Sequence, residues 1–433
     1  MTDHADRCFL RYFATVPDPR VEYLCDHQLI DIIAIAICAV TCGADSWVEV
    51  EAYGHAQAAW LGTFLELPHG IPSHDTFGRV FALLDATAFE RAFMGWVQDI
   101  VALTAGQVIA IDGKTLRRSH DAAAGRGPLH LVSAWAAANG VVLGQVRVDQ
   151  KSNEITAIPV LLEMLDLAGQ IVTVDAMGCQ KAIAQQILDR GGDYLLAVKD
   201  NQPRLHAKVQ EAFAEAEAQG YAHTAHDAWE RVEKGHGRIE RRRCTVLTDA
   251  DHLLYIQGTA EGGVWPGLRA LVRVEAERRM GAKTQRQTRY YITSLGGDAR
   301  EAGLSVREHW GIENRLHWVL DIAFREDESR VRVGNAPHLF SVLRRLALNL
   351  LKRERTAKGG IHAKRLRAAW DHDYLLKVLR GLVCDCPGQE RKPSIWCRTE
   401  RRSSHIIADH REDPPRHALV GASLGDAPKV RLK

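Results

Sequence analysis

Residues 108–119 read VIAIDGKTLRRS. Four aliphatic residues lead this stretch, the pattern of a strand buried on both faces. Asp112 then stands where another aliphatic residue is due. A carboxylate at the end of a core strand is costly unless something compensates its charge. Lys114, Arg117 and Arg118 follow at once.

The surroundings place that strand. LHLVSAWAAANGVVLGQVRV (129–148) is two apolar runs joined by Asn139-Gly140, a strong signal for a hairpin. Ser152 or Asn153 is positioned to cap EITAIPVLLEMLDL, in which Ile155, Ile158, Leu162 and Leu165 keep helical spacing and Pro159 falls near the first turn. QIVTVDA (170–176) is a short strand, CQKAIAQQILDR (179–190) an amphipathic helix stopped by Gly191-Gly192, and DYLLAVK (193–199) another strand. Three antiparallel strands followed by helical crossovers give a mixed sheet with helices on its faces. This is the element order of a ribonuclease H-like core, which requires one more helix after the last strand.

Residues 201–295 delay that helix. After PRLHAKVQEAFAEAEAQ, the segments RRRCTVL, HLLYIQG, LRALVRVEAERR and RQTRYYITSL read as short strands, hence as a β-rich insertion. Ser305 and Glu308 then have capping-box spacing ahead of VREHWGIENRLHWVLDIAF. The expected division is a helical domain over 1–105, a core over 106–200 and 296–380, the insertion over 201–295, and an atypical, loosely ordered tail over 381–433. Within 1–105, Ser73 is a candidate N-cap and Thr87–Glu90 a candidate capping box. Two helices meeting there form either a helix-turn-helix or a bundle that braces the rest.

In an α/β core of this order the first and fourth strands are neighbours, so Asp112 and Asp175 of IVTVDAMG end side by side. Adjacent carboxylates repel unless a cation lies between them. Mg2+ takes such hard oxygen ligands together with substrate phosphates, and Mn2+ can replace it. The other possibility is a pair of strand-end acids capping the following turns. Glu313 is the third candidate, because it borders the apolar stripe Ile312, Leu316, Val319, Ala323. Asp321, Glu326 and Asp327 are expected instead to contact Arg325, Arg330 or solvent. His309 and His317 share the Glu313 face but lack the order of a zinc motif, so they hold phosphate or simply pack. Lys114, Arg117 and Arg118 read as phosphate contacts, and Lys199, Asn201 and Gln202 as residues that could hold a DNA backbone.

Composition bounds the rest. The 433 residues are 46% hydrophobic and 25% charged with net charge +2, ordinary for a globular protein. Nine cysteines at scattered spacings suit free thiols in a bacterial cytoplasm. The longest apolar run, LIDIIAIAICAV (29–40), is too short to span a membrane and contains Asp31. Residues 301–380 hold 16 Lys/Arg against 10 Asp/Glu, a local basic excess.

Several stretches together resemble the DDE transposases of bacterial insertion sequences, and among them the H-repeat-associated family. These are DPR (18–20), GADSWVEVE (43–51), PSHDTFGRVF (72–81), AIDGKTLRRS (110–119), KSNEITAIPVLL (151–162), VDAMGCQ (174–180) and HWGIENRLHWVLDIAFREDESR (309–330). The resemblance implies a ribonuclease H-like core with Asp112, Asp175 and Glu313 as catalytic acids holding two Mg2+ ions, which cut DNA at the element ends and join it to target DNA. A homodimer on DNA is the expectation for this class. Rival readings are an inactive relic that only binds DNA and a plain metal-dependent nuclease. The Tyr-Arg-Glu-Lys signature of the wider superfamily is absent: Val306, His309 and Leu320 occupy its Tyr, Arg and Lys positions. Arg307, His309, Asn314, Arg315 and His317 are the nearest substitutes for its phosphate contacts.

Overall fold

The structure, a computed structural model, describes residues 10–380 apart from 102, 122–124, 149–151, 236 and 258–263. The expectation for the tail 381–433 falls outside the described residues.

Strand β1 (Val108–Leu116) lies at the heart of a mixed nine-stranded sheet. It pairs antiparallel with β2 (Leu129–Ala136), which pairs antiparallel with β3 (Val141–Arg147). The turn between β2 and β3 uses Gly140 at φ +68°, a conformation that favours glycine. On its other side β1 pairs parallel with β4 (Ile171–Val174), and β4 with β5 (Asp193–Val198). Four further strands, β6 (His226–Gly235), β7 (Arg238–Leu247), β8 (Ala270–Met280) and β9 (Lys283–Thr293), continue the sheet. β9 joins β5 antiparallel, so the order is β3-β2-β1-β4-β5-β9-β8-β7-β6. HLLYIQG is not among these strands. Its described residues, 252–257, lie within a helix, Ala250–Gln257, capped where Asp249 accepts from the backbone of Asp251 and His252.

Helices cover both faces, and β1 shows why. A Cβ at Gly113 would meet the Glu154 carboxylate at 2.0 Å, so that side of the strand faces the Glu154–Glu163 helix. Asp112 points the other way, toward His317. Asn153 caps the Glu154–Glu163 helix through Ile155, but Pro159 sits in its interior, beyond the expected first turn. The Ala299–His309 helix starts at an Asp298 cap, seven residues before the predicted cap Ser305. Ser305 therefore lies within the helix, where its hydroxyl donates to the Glu301 carbonyl.

The largest buried element is the Ala336–Arg353 helix, whose residues 336–351 are all buried. It packs against β3 and against helices Leu29–Thr41, His74–Leu83 and Ala86–Ile100 from the N-terminal residues. Residues 31–41 of Leu29–Thr41 are all buried, which explains its almost entirely apolar sequence; the exception near its start, Asp31, accepts from the Leu67 N–H at 3.0 Å. No described helix is long and apolar enough to cross a membrane. Asp85 caps Ala86–Ile100, and Glu90 meets buried His338 at 2.6 Å instead of closing a capping box. His74–Leu83 and Ala86–Ile100 bury Phe77, Phe81, Phe89 and Phe93, a packing role that matches the bracing alternative.

Asn349, fully buried, covers the outer edge of β3 by bonding both the N–H and the C=O of Val142 at 2.9 Å. Asn349→Leu leaves two buried backbone groups unpaired and is expected to lower unfolding free energy by about 2–4 kcal/mol. Urea denaturation of the variant and the unaltered chain measures this, with the change in midpoint as the readout.

Candidate active site

The β1–β4 register ends at Ile111 opposite Val174, so Asp112 and Asp175 are the next residues on adjacent parallel strands. The Asp112 carboxylate accepts from the Gly113 N–H at 2.9 Å and lies 3.2 Å from His317 Nε2. Asp175 caps the short turn Ala176–Gly178 by accepting from Met177 N–H at 2.7 Å, and Lys199 Nζ stands 3.6 Å from its other oxygen. Capping and a place beside Asp112 therefore coexist at Asp175.

The third acid comes from a break in a helix. After Ala299–His309 the backbone widens into a π-helical turn, Glu313–His317, and returns to α-helix at Trp318–Phe324. Wide turns of this kind occur most often at functional sites. The wide turn also shifts the buried stripe, which runs Ile312, Leu316, Leu320, Phe324 and leaves Val319 partly exposed. Glu313 lies on the exposed side. Its carboxyl pKa is raised, first by lost solvation and then by the Asp112 charge, while His317, Arg289 and Lys199 act against the rise. Among the described residues no three His, Cys, Asp or Glu are gathered closely enough to hold a metal ion.

His309 lies beneath this site, buried, with Nδ1 3.0 Å from Thr173 Oγ1. Burial lowers its pKa, against the attraction of Asp112 and Asp175. A cavity of about 180 Å3 opens beside it, lined by Asp175, Lys199, His309, Arg289 and Trp310. Arg289 stacks 3.8 Å from the centre of the Trp310 ring. Neither Thr173 nor Arg289 was singled out from sequence; Arg289 sits in an alternating strand where an arginine looks like ordinary surface.

The other predicted site residues have several fates. Asn201 and Gln202 tie the loop after β5 to the loop after β4, donating to the carbonyls of Ala176 and Cys179. Arg117 is 83% exposed and lies 3.4 Å from Asp327, and the Arg118 carbonyl accepts from Arg332. Arg307 stands 3.6 Å from Glu233, Asn314 donates to the Trp310 carbonyl, and the Arg315 carbonyl accepts from Lys352. Lys114 corrects the expectation of a phosphate contact. Its side chain is only 9% exposed and is enclosed by acids: it pairs with Asp321, lies 3.2 Å from Glu326 and 4.0 Å from Asp327. The same contacts correct the expected partner of Glu326, which is fully buried, while Asp321 and Asp327 keep partial exposure to solvent; among the described residues Arg325 pairs with Glu328 instead. A buried ammonium needs carboxylates more than an exposed loop needs phosphate, and β1 carries Lys114 inward beside Asp112.

Two family comparisons bear on this arrangement. The family described as Transposase DDE domain matches residues 104–350, and the one described as DDE_Tnp_1-associated matches residues 10–97. The chain belongs to the DDE transposase family. It is 40% identical over 376 residues to the "H repeat-associated putative transposase YhhI" of Escherichia coli K12, covering 86% of this chain and 97% of that one. It is 42% identical over 373 residues to the "Putative transposase YncI" of Escherichia coli O157:H7, covering 86% and 94%.

Glu326 completes the group around Lys114. It is fully buried and accepts from Arg345 at 2.8 Å and from the Ser341 hydroxyl at 3.1 Å. Burial would raise its pKa, but Arg345, Lys114 and Arg344 outweigh burial and hold it far below the usual carboxylate range. The stabilisation is therefore complete above the unfolded value of 4.5 and is lost as pH falls below it. Lys114→Met leaves Asp321 and Glu326 short of a cation, with an expected loss of about 3–5 kcal/mol. In Glu326→Gln, stability should vary less between pH 4.5 and acid than in the unaltered chain, which thermal melts across that range would reveal.

Proposed function

We propose that the chain is a Mg2+-dependent transposase, built on a ribonuclease H-like core, that cleaves DNA at the ends of an insertion element and joins the freed ends to target DNA. The observation that carries this reading is the pairing of Asp112 and Asp175 on adjacent strands, with a Glu313 carboxyl that already feels the Asp112 charge.

The chemistry of the donor set suits a hard divalent cation, three carboxylates and no thiolate, but the described side chains are not gathered closely enough to hold one, so Glu313 on its exposed turn would have to move toward the two aspartates. Asp112, Asp175 and Glu313 would hold Mg2+, with Mn2+ as a substitute. The bound ions supply charge neutralisation at the reacting phosphate. The chain's own groups do the positioning. Asp112 accepts from the Gly113 N–H within β1 and Asp175 from the Met177 N–H after β4, so both would be oriented before DNA arrives. His317 Nε2 lies 3.2 Å from Asp112, and Lys199 Nζ lies 3.6 Å from Asp175. Lys199 and the basic residues around Glu313, Arg307 and Arg315, are placed to hold neighbouring phosphates, while His309 supports the floor under the two aspartates through Thr173. DNA is thus the partner, with a homodimer bringing two ends together. Residues 1–105 contribute to end binding through Ser73, His74, Thr76 and Arg79 at the start of the His74–Leu83 helix.

Asp112→Asn, Asp175→Asn and Glu313→Gln should each reduce Mg2+-dependent nicking of end-containing DNA by about a thousandfold or more, with DNA affinity kept within a few-fold. Gel assays of nicking and binding separate the two effects. Full nicking by any one variant removes that residue from the site, and binding without nicking by the unaltered chain favours the inactive relic.

A further inference from the structure

The strands β6–β9 and the Ala299–His309 helix enclose a cleft of about 780 Å3. Its charge is unbalanced in a specific way. Glu240 is shared by Arg238 at 2.7 Å, by Arg242, and by Arg278 at 3.6 Å. In the adjoining cavity of about 430 Å3, which shares Arg238 and Arg307 with the cleft, Glu233 is shared by Arg231 at 3.0 Å, Arg242 at 2.8 Å and Arg307 at 3.6 Å. Two carboxylates thus serve five guanidinium groups. The Arg278 and Arg307 distances are too long for hydrogen bonds, and Arg278 Nε is buried without a hydrogen-bond partner among the described residues. The Arg307 pKa is lowered by burial and then by the neighbouring Arg242, the effect of cations held close together. Crowded cations are stabilised by an anion with several charges at matching spacing.

The cleft leads to the carboxylates. Gln287, Arg289 and Trp310 line both this cleft and the cavity that contains Asp175 and Lys199. Asn314, the residue after Glu313, also lines the cleft. Its floor is Trp229, packed so tightly on Gly303 that a Cβ there would meet the ring at 2.9 Å.

We propose that this cleft binds the sugar-phosphate backbone of a DNA strand on its way to Glu313, with Arg238, Arg242, Arg278 and Arg307 as phosphate ligands and Glu233 and Glu240 as their partners in the absence of DNA. The assignment rests on the reading of Asp112, Asp175 and Glu313 as a DNA phosphoryl-transfer site. Phosphates displace the shared carboxylates, so the two glutamates oppose binding while they keep the arginines in place.

The test measures anisotropy of a fluorescein-labelled DNA duplex of arbitrary sequence with the full chain across a range of NaCl concentrations. Each phosphate contact contributes roughly 0.9 to the slope of log affinity against log salt on duplex DNA. Arg242→Ala and, separately, Arg278→Gln should each reduce that slope by about this amount and weaken binding at low salt. Glu240→Gln, which removes a competing carboxylate, should tighten binding several-fold. A purely structural network predicts the opposite sign for Glu240→Gln, because its loss would loosen the cleft. An unchanged slope in the folded Arg278→Gln protein, or weaker binding by Glu240→Gln, overturns the proposal. Nicking by the unaltered chain separates the two readings: slope changes in Arg242→Ala and Arg278→Gln without any Mg2+-dependent nicking by the unaltered chain sustain the cleft and sink the catalytic reading, while nicking with unchanged slopes does the reverse.

Discussion

The buried cluster of Lys114, Glu326 and Arg345 is the constraint on which the rest of the site depends. Lys114 lies on β1 two residues after Asp112, Glu326 follows the helix that carries Glu313, and Arg345 lies in the Ala336–Arg353 helix. An isolated charge in this interior is costly; Glu326 is tolerated because Lys114 and Arg345 flank it, and each of those cations because it meets Glu326. The cluster therefore fixes the distance between the strand of Asp112 and the segment after Glu313. Ser341 and Asp321 add neutral and charged partners at its two ends. Because the Ala336–Arg353 helix also packs on helices from residues 29–100, the same cluster ties the N-terminal part to the acids.

Glu313 is held differently from Asp112 and Asp175. Asp112 lies within β1, opposite Ser133 of β2, and Asp175 directly follows β4, whereas Glu313 begins a π-helical turn in an otherwise α-helical run. The turn is anchored on one side by buried Ile312 and Leu316, and on the other by the Lys114 contacts to Asp321. The sheet thus places the two aspartates, while a single wide turn places Glu313.

The strand order, the hairpin at Asn139-Gly140 and the adjacency of Asp112 and Asp175 are legible because each leaves a local mark: an aliphatic run, a turn dipeptide, a charge that breaks a pattern; the end of β1 is not, because the strand continues past Asp112 to Leu116 by pairing with β2 alone. The caps at Asp85 and Asp298 were misplaced because Ser, Thr and Glu spacing also occurs inside helices, and only the chain direction before the helix decides between them. HLLYIQG failed for a similar reason, since a short apolar run suits a strand and a helix equally well. Lys114 was the instructive miss. A basic residue next to a catalytic acid reads as a phosphate ligand until the fold shows that Asp321 and Glu326, more than 200 positions away in the chain, surround it.

The net charge of +2 concealed the arrangement of charge along β6–β9 for the same reason. Arginine and glutamate alternate there, so their sum is small, and the strands look like an ordinary solvated edge. Pairing in three dimensions is uneven: some pairs, such as Arg241 with Glu230 and Arg286 with Glu277, are one to one on the exposed strands. Around Glu233 and Glu240 the ratio changes, and it changes where the Ala299–His309 helix closes over the sheet toward Glu313. A protein that only needed a soluble edge would gain nothing by concentrating unpaired cations beside a cluster of carboxylates. The position of the surplus, rather than its size, is what connects the extended sheet to the chemistry at β1 and β4.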